Sequence, residues 1–476
     1  MQSHQTLLLC SALPLSIAPL ALLVHLHLHL SHHHHGWYVN TIPTRLQALP
    51  PSLYTHLPWN PCHRTDWNIR PAPVATRTNN PIRAIVDNIK FPEDSTKKVI
   101  PLSLGDPTVF GNLPPPQHFI DRLADNLKSG KFNGYVHSAG TPDARAAIAA
   151  AYGTPTSPLT ADDVVVACGC SGALDLAIGV LMQPGDKLLV PQPGFPLYET
   201  LARSKGVEVG HYKLNPDASW QVDLESLRAA LDSSVRAIVV NNPSNPCGSV
   251  YPVEHLRELL AIAEEARVPI IADEIYGDMT YGDSKFVPMA SLTETVPILA
   301  VGGIAKQFLV PGWRVGWVCV HDRAGLFADI RTGLFKMSQL ILGANSLIQS
   351  ALPMLLAPEA GSADAEALAS FKAATQAQLA ENARFTAERL STIPGLRVIV
   401  PQGAMYVMIG VDSEHLRDIE DDVQFCQALL SEQSVFMLPG QCFGMRDFAR
   451  VVFSAPKEML AEAYDRIEEF CKSRAC

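Results

Sequence analysis

The sequence predicts an α/β fold, a mostly parallel sheet wrapped by helices and joined to a smaller α+β domain. Three observations predict it. Short, wholly apolar runs recur from about Val164 to Val320, amphipathic stretches lie between them, and after Phe327 the pattern changes to long helices followed by alternating strands.

The apolar runs are Val164–Val166, Leu188–Val190, Ala237–Val240, Pro269–Ala272, Ile298–Val301 and Val315–Val318. They are continuous rather than alternating, which marks strands buried on both faces. Glu254–Ala266 carries the pattern of a crossover helix between two of them. Ala363–Leu390 contains neither Gly nor Pro and reads as one long helix. Strands follow at Leu396–Val400, Ala404–Gly410 and Ala449–Ser454, and Glu458–Cys471 closes the chain as a helix with Leu460, Ala463, Ile467 and Phe470 on one face. No internal repeat is evident.

A chain of 476 residues with 47% hydrophobic composition can bury a large core, and a prior of about one domain per 150 residues gives two or three domains. The net charge of -10 argues against nucleic acid as the main partner, since phosphate backbones are bound by surplus Lys and Arg, and favours small molecules. The 10 cysteines lack the short, even spacing of a disulfide scaffold and point to a reducing compartment. Cys168 and Cys170 flank one glycine with no second ligand pair nearby, so they read as buried thiols and no metal site is expected.

The first 65 residues contain no Asp, Glu or Lys and hold ten of the 16 histidines. Leu7–Leu30 is uncharged and apolar, but Pro14, Pro19 and the alternating His25, His27 and His29 weaken a membrane-span reading, and no firm anchor is expected. The absence of acid, with Arg45, Arg64, Arg70 and Arg77, leans toward an organelle transit peptide, and a removable leader without a role in the mature protein is an equal reading. The expected location is cytoplasmic or mitochondrial.

In open sheets of this kind ligands bind beyond the carboxyl ends of the strands, and each of those ends carries a polar residue. After the first run comes Cys168-Gly169-Cys170-Ser171-Gly172, a small-residue turn opening a helix whose free N–H groups suit an anion; Ser171 also reads as a simple N-cap. Pro191–Tyr198 holds Phe195, a core aromatic or a stacking ring. Asn241–Gly248 holds two Asn-Pro steps, the second beginning at Asn245, which present an amide side chain at a fixed turn or form a plain loop. Asp273 ends the next run, with Tyr276 three residues on. Poor hydration there requires a partner for the carboxylate, either an Arg, a helix end or a protonated ring nitrogen. Lys306 follows Gly302 and Gly303 and is either a solvated surface amine or a nucleophile. Arg314 and Arg450 head strands and are placed to pair with a carboxylate or to hold an oxyanion bidentately. The evidence is that all of these fall in order at successive strand ends.

That order, with Ser103–Leu113, the Asn-Asn-Pro-Ser-Asn-Pro-Cys-Gly loop and Ala272–Met279, resembles the class I/II pyridoxal-phosphate-dependent aminotransferases from about Asn79 to Cys471, most closely the branch that takes tyrosine. The resemblance implies the fold type I of these transferases, with a seven-stranded sheet in the large domain. The implied division is a low-complexity extension over residues 1–70, an N-terminal arm with part of the small domain over 71–130, a large cofactor-binding domain over 131–345 and a C-terminal small domain over 346–476. Lys306 would form the Schiff base with pyridoxal 5'-phosphate and then move the substrate proton. Asp273 would hold the pyridine nitrogen protonated, Tyr276 and Asn245 would bond the ring's phenolic oxygen, and Phe195 would stack on the ring. Arg314 with Gly169, Cys170 and Ser171 would hold the phosphate, while Arg450, Gly105 and Asn245 would hold the substrate. Tyr135 would reach the phosphate of a neighbouring subunit, implying a homodimer. Gln307 departs from the arginine that this branch often carries after the lysine, which would weaken phosphate binding or only alter local pairing.

The implied reaction transfers the amine of an aromatic L-amino acid, tyrosine foremost, to 2-oxoglutarate, giving 4-hydroxyphenylpyruvate and glutamate. Donors such as alanine or methionine, and a carbon–sulfur lyase on the same machinery, stay open. A silent binding protein is disfavoured because Lys306, Asp273, Tyr276, Arg314 and Arg450 are all present.

Overall fold

The computed structural model describes residue 67 and residues 69–89 and 97–476. The apolar run Leu7–Leu30 and nearly all of the expected extension lie outside the described residues. Residues 70–476 form one compact unit.

The large sheet is built from β1 (Val164–Ala167), β2 (Lys187–Gln192), β3 (Glu208–Asn215), β4 (Gln221–Val222), β5 (Val235–Asn241), β6 (Ile270–Asp273), β7 (Ile298–Gly303) and β8 (Gly316–His321), in the spatial order β1-β8-β7-β6-β5-β2-β3-β4. Seven strands are the expected ones, and the two-residue β4 extends the edge by an antiparallel turn back along β3. β2, β3, β5, β6 and β7 run parallel, whereas β8 is antiparallel to both of its neighbours. Because β8 is reversed, the residue that precedes it lies at the sheet edge where the other strands end.

Strand periodicity divides the core between the two faces. Val164, Val166, Leu189, Ile238, Val240, Ile270, Ile298 and Trp317 point to one face, where helices Gln117–Ser129 and Val253–Ala266 cover them. Val165, Leu188, Ala237, Val239, Ile271, Leu299, Val301 and Val318 point to the other, under helices Gly169–Leu181, Leu197–Ser204 and Ala328–Met337. Both faces are dry, which is why the strand sequences show no alternation. β3 has half-exposed residues along its first half and lacks that signature, so the apolar runs do not reveal it.

The smaller antiparallel sheet has the order β9 (Leu396–Val398), β10 (Tyr406–Val411), β12 (Phe448–Val452), β11 (Leu438–Pro439). Helix Ala363–Leu390 begins at Ser362, whose hydroxyl accepts the Ala365 N–H at 3.2 Å, and buries Leu379, Ala383 and Leu390 against this sheet. Helix Lys457–Arg474 buries Leu460, Ala463, Ile467 and Phe470 there, as its periodicity predicts. This core also takes in Ile275, Tyr276, Met279 and Leu309 from loops of the large sheet, so the two sheets share apolar packing. Among the described residues no helix is long and apolar enough to cross a membrane.

Candidate active site

A cavity of about 310 Å³ lies beyond the strand ends of the large sheet and against the small one. It is lined by Gly105, Cys170, Ser171, Phe195, Asn245, Asp273, Tyr276, Lys306, Arg314 and Arg450. Residues separated by up to 345 positions thus meet: Asp273 ends its strand, Lys306 and Arg314 lie in the turns after β7 and before β8, and Arg450 sits in the middle of β12 rather than at its head. Gly169 lies directly behind the lining, and Tyr135 stands outside it, 93% exposed.

Helix Gly169–Leu181 starts at the end of β1, and its first-turn N–H groups have no partner within the helix. Cys168 is its N-cap residue, so Ser171 lies inside the first turn and does not cap it. Arg314, just ahead of β8, lies across this turn, with Nη2 donating to the Cys168 carbonyl at 3.3 Å and Nη1 to Pro311 at 3.0 Å. Gly169 has φ +70°, and a Cβ there would stand 2.6 Å from Arg314 Nη2. Glycine is therefore needed both for the backbone turn and for the guanidinium's approach. The result is a cationic cup with a helix dipole aimed into it.

Asp273, at the end of β6, is 3% exposed. Among the described residues no arginine or helix end answers it. The Tyr198 hydroxyl donates to Oδ2 at 2.6 Å, the Ile275 N–H donates to Oδ1 at 3.3 Å, and the Cys170 thiol lies 3.8 Å from Oδ1. Burial pushes its carboxyl above the ordinary carboxylate value against the pull of these donors. A cationic N–H is the group this carboxylate lacks.

Arg450, on β12, is 4% exposed and has no carboxylate partner among the described residues. Its Nη2 donates to the Ser103 carbonyl at 2.6 Å and its Nη1 to Asn245 Oδ1 at 2.9 Å, while Nε has no partner. Its guanidinium carbon lies 4.5 Å from the centre of the Tyr406 ring and 4.6 Å from that of Phe443. Burial lowers the Arg450 pKa, and two aromatic faces support the cation in place of an acid. Asn245 is fixed in turn by its own N–H, which donates to Asn241 Oδ1 at 2.7 Å.

Lys306 sits in the turn after β7 and donates its amine to the Gly105 carbonyl. A planar, phosphate-bearing ring fits this donor set. Its anion would meet the cup, its cationic nitrogen Asp273, its face Phe195 and its reactive edge Lys306.

The sequence agrees with that geometry. The family model for aminotransferase class I and II matches residues 97–467. Tyrosine aminotransferase of Mus musculus is 48% identical over 85% of this chain and 88% of its own length, and that of Dictyostelium discoideum is 50% identical over 86% and 97%. The crystal structure of tyrosine aminotransferase from Leishmania infantum superposes with a TM-score of 0.81, at 34% identity over 86% of this chain and 99% of the other. The chain belongs to the class I and II aminotransferases.

Two tyrosines of this aminotransferase escape the sequence reading. Tyr198 lies in the first turn of helix Leu197–Ser204, just past the loop that carries Phe195, and no spacing in the sequence marks it. Tyr406 lies within an apolar strand and carries no such signal, yet its hydroxyl is 2.8 Å from that of Tyr276. Gln307 turns away from the aminotransferase cavity. Buried, it lines a separate 350 Å³ pocket beside the Asp278–Lys372 ion pair, with its Oε1 3.5 Å from the Tyr152 hydroxyl.

Proposed function

We propose that this chain is a pyridoxal-phosphate-dependent aminotransferase that moves the amine of tyrosine to 2-oxoglutarate. The observation that carries the reading is one cavity holding an amine at Lys306, a buried carboxylate without a cation at Asp273 and a buried guanidinium without a carboxylate at Arg450. The names of the relatives supply the choice of tyrosine. When bound, pyridoxal phosphate supplies an electron sink for the pair left when the substrate Cα–H bond breaks.

Each residue then has a defined task. Lys306 would hold the cofactor through Nζ and would take the proton from substrate Cα on that same nitrogen. Asp273 keeps a proton on the ring nitrogen, because two buried ionisable groups of opposite charge stabilise each other's charged forms. Arg314 and the first turn of helix Gly169–Leu181 bind the phosphate. Arg450 orients the substrate carboxylate bidentately, and Asn245 steadies Arg450. Phe195 packs on the ring face. Tyr276 donates to the phenolic oxygen and so keeps it acidic.

A homodimer completes the reading. The exposed Tyr135 and the consecutive exposed Leu340, Ile341 and Leu342 support it, and sedimentation of the holoprotein at twice the chain mass is the expected result.

The test is production of 4-hydroxyphenylpyruvate from tyrosine and 2-oxoglutarate by the purified protein and its Lys306→Ala variant. Activity that requires both substrates and is lost with Lys306 supports the reading. Activity retained in Lys306→Ala refutes the mechanism. Release of pyruvate or thiol without a 2-oxo acid identifies a lyase instead. A kcat/KM for tyrosine well below that for alanine or methionine refutes the donor.

A further inference from the structure

Tyr406 touches three parts of the site at once. Its ring lies under the Arg450 guanidinium, which also rests on the Phe443 ring. Its hydroxyl is 2.8 Å from the Tyr276 hydroxyl, and the two rings meet edge to face at 5.7 Å. The same hydroxyl fills the space where a Cβ of residue 105 would stand, so Gly105 has no side chain, and the Gly105 carbonyl accepts from Lys306.

Resting on the transaminase reading above, we propose that Tyr406 is a positioning residue that couples occupancy of the Arg450 clamp to the hydrogen bonding of Tyr276. A cation over the face of a phenol draws electron density from its hydroxyl and makes the O–H a stronger donor. While Arg450 is uncompensated, Tyr406 donates to the Tyr276 oxygen, and Tyr276 directs its own proton into the cavity. A carboxylate on Arg450 neutralises the cation and weakens that donation. The Tyr276 bond then weakens with it, since successive hydrogen bonds in a chain reinforce one another. The charged groups lining the cavity with this pair are Arg450, Lys306, Asp273, Arg314 and Asp106, with Tyr198 and Cys170 as neutral titratable neighbours. Substrate arrival at Arg450 thus raises the proton affinity of the nitrogen on Lys306, readying the site for chemistry only when it is filled.

The experiment is a pH titration of the visible absorbance of the holoenzyme, with and without the unreactive carboxylate 3-phenylpropionate, in wild type, Tyr406→Phe, Tyr276→Phe and the double variant. The wild-type midpoint is expected to rise when the ligand binds. In Tyr406→Phe the ligand-free midpoint lies higher by about 0.5 to 1 pH unit, the size of one hydrogen bond, and the ligand-induced rise shrinks. In the Tyr276→Phe background the Tyr406 change has no further effect. A wild-type midpoint and rise in Tyr406→Phe, additive shifts in the double variant, or loss of 3-phenylpropionate binding in Tyr406→Phe each overturn the proposal, the last by assigning the residue to the clamp alone. A wild-type holoenzyme without a titrating visible band overturns the transaminase reading and the coupling together.

Discussion

The Tyr198 hydroxyl donates to the Asp273 carboxylate at 2.6 Å in a fully buried contact, and it is the shortest of the three supports this acid receives. The phenol's proton opposes the upward push that burial exerts on this carboxyl. Tyr198→Phe is therefore expected to raise the Asp273 pKa further and to move the acidic limb of the kcat/KM profile to higher pH. Affinity for pyridoxal phosphate should fall by about tenfold, as for loss of one hydrogen bond to a charged group. A pH–rate profile with equilibrium dialysis of the cofactor measures both.

Asp273→Asn separates stability from function. Burial of this carboxylate without a cation opposes folding of the cofactor-free protein, so the amide is expected to raise its Tm while lowering kcat by more than about 10²-fold. Calorimetry of the apoprotein and steady-state kinetics of the holoprotein give the two readings.

Gly169→Ala brings a methyl group to 2.6 Å from Arg314 Nη2 at a backbone φ of +70°. The expected cost is about 1 kcal/mol of backbone strain together with a displaced guanidinium. Cofactor affinity should fall by more than the stability change accounts for, with little change in KM for tyrosine. Fluorescence titration with pyridoxal phosphate checks it.

Arg450→Lys keeps the charge but loses the planar fork and the double aromatic stacking. The kcat/KM for tyrosine should fall by about 10²-fold, while the spectrum of the bound cofactor stays close to wild type. Equal kcat/KM values in the two enzymes would remove Arg450 from the clamp.

Beside Asp273, the Glu274 carboxyl accepts the Met289 N–H at 2.9 Å, and burial pushes it up to about 7 from 4.5. The folded state holds this proton more tightly than the unfolded chain does, so stability is lost as pH rises between those two values and levels off above them. Glu274→Gln should flatten that slope and raise the Tm on the alkaline side. Tm measured against pH in both proteins checks the sign.

The large sheet was legible because both its faces are covered, which leaves long apolar runs at β1, β2, β5, β6, β7 and β8. β3 was not, because a strand with half-exposed residues along its first half looks like loop. At the site, Lys306, Asp273, Asn245 and Arg314 stand out because they follow or precede apolar runs, and the cavity brings them together with Arg450, which lies mid-strand. What supports Asp273 and Arg450 is not legible in the sequence, because Tyr198, Tyr406 and Phe443 are aromatic residues whose importance is a matter of what lies above the ring or beside the hydroxyl. Sequence pattern reports burial well and orientation poorly.

The segment from Asp273 to Tyr281 serves two masters. Its first residues line the cavity, and Ile275, Tyr276 and Met279 belong to the core of the small sheet. Substitutions there cannot be tuned for catalysis alone, since each alters how the small sheet is seated. Laboratory selection for a new amino donor should therefore leave this stretch nearly untouched and accumulate changes at cavity positions free of that double duty, such as the exposed Leu104.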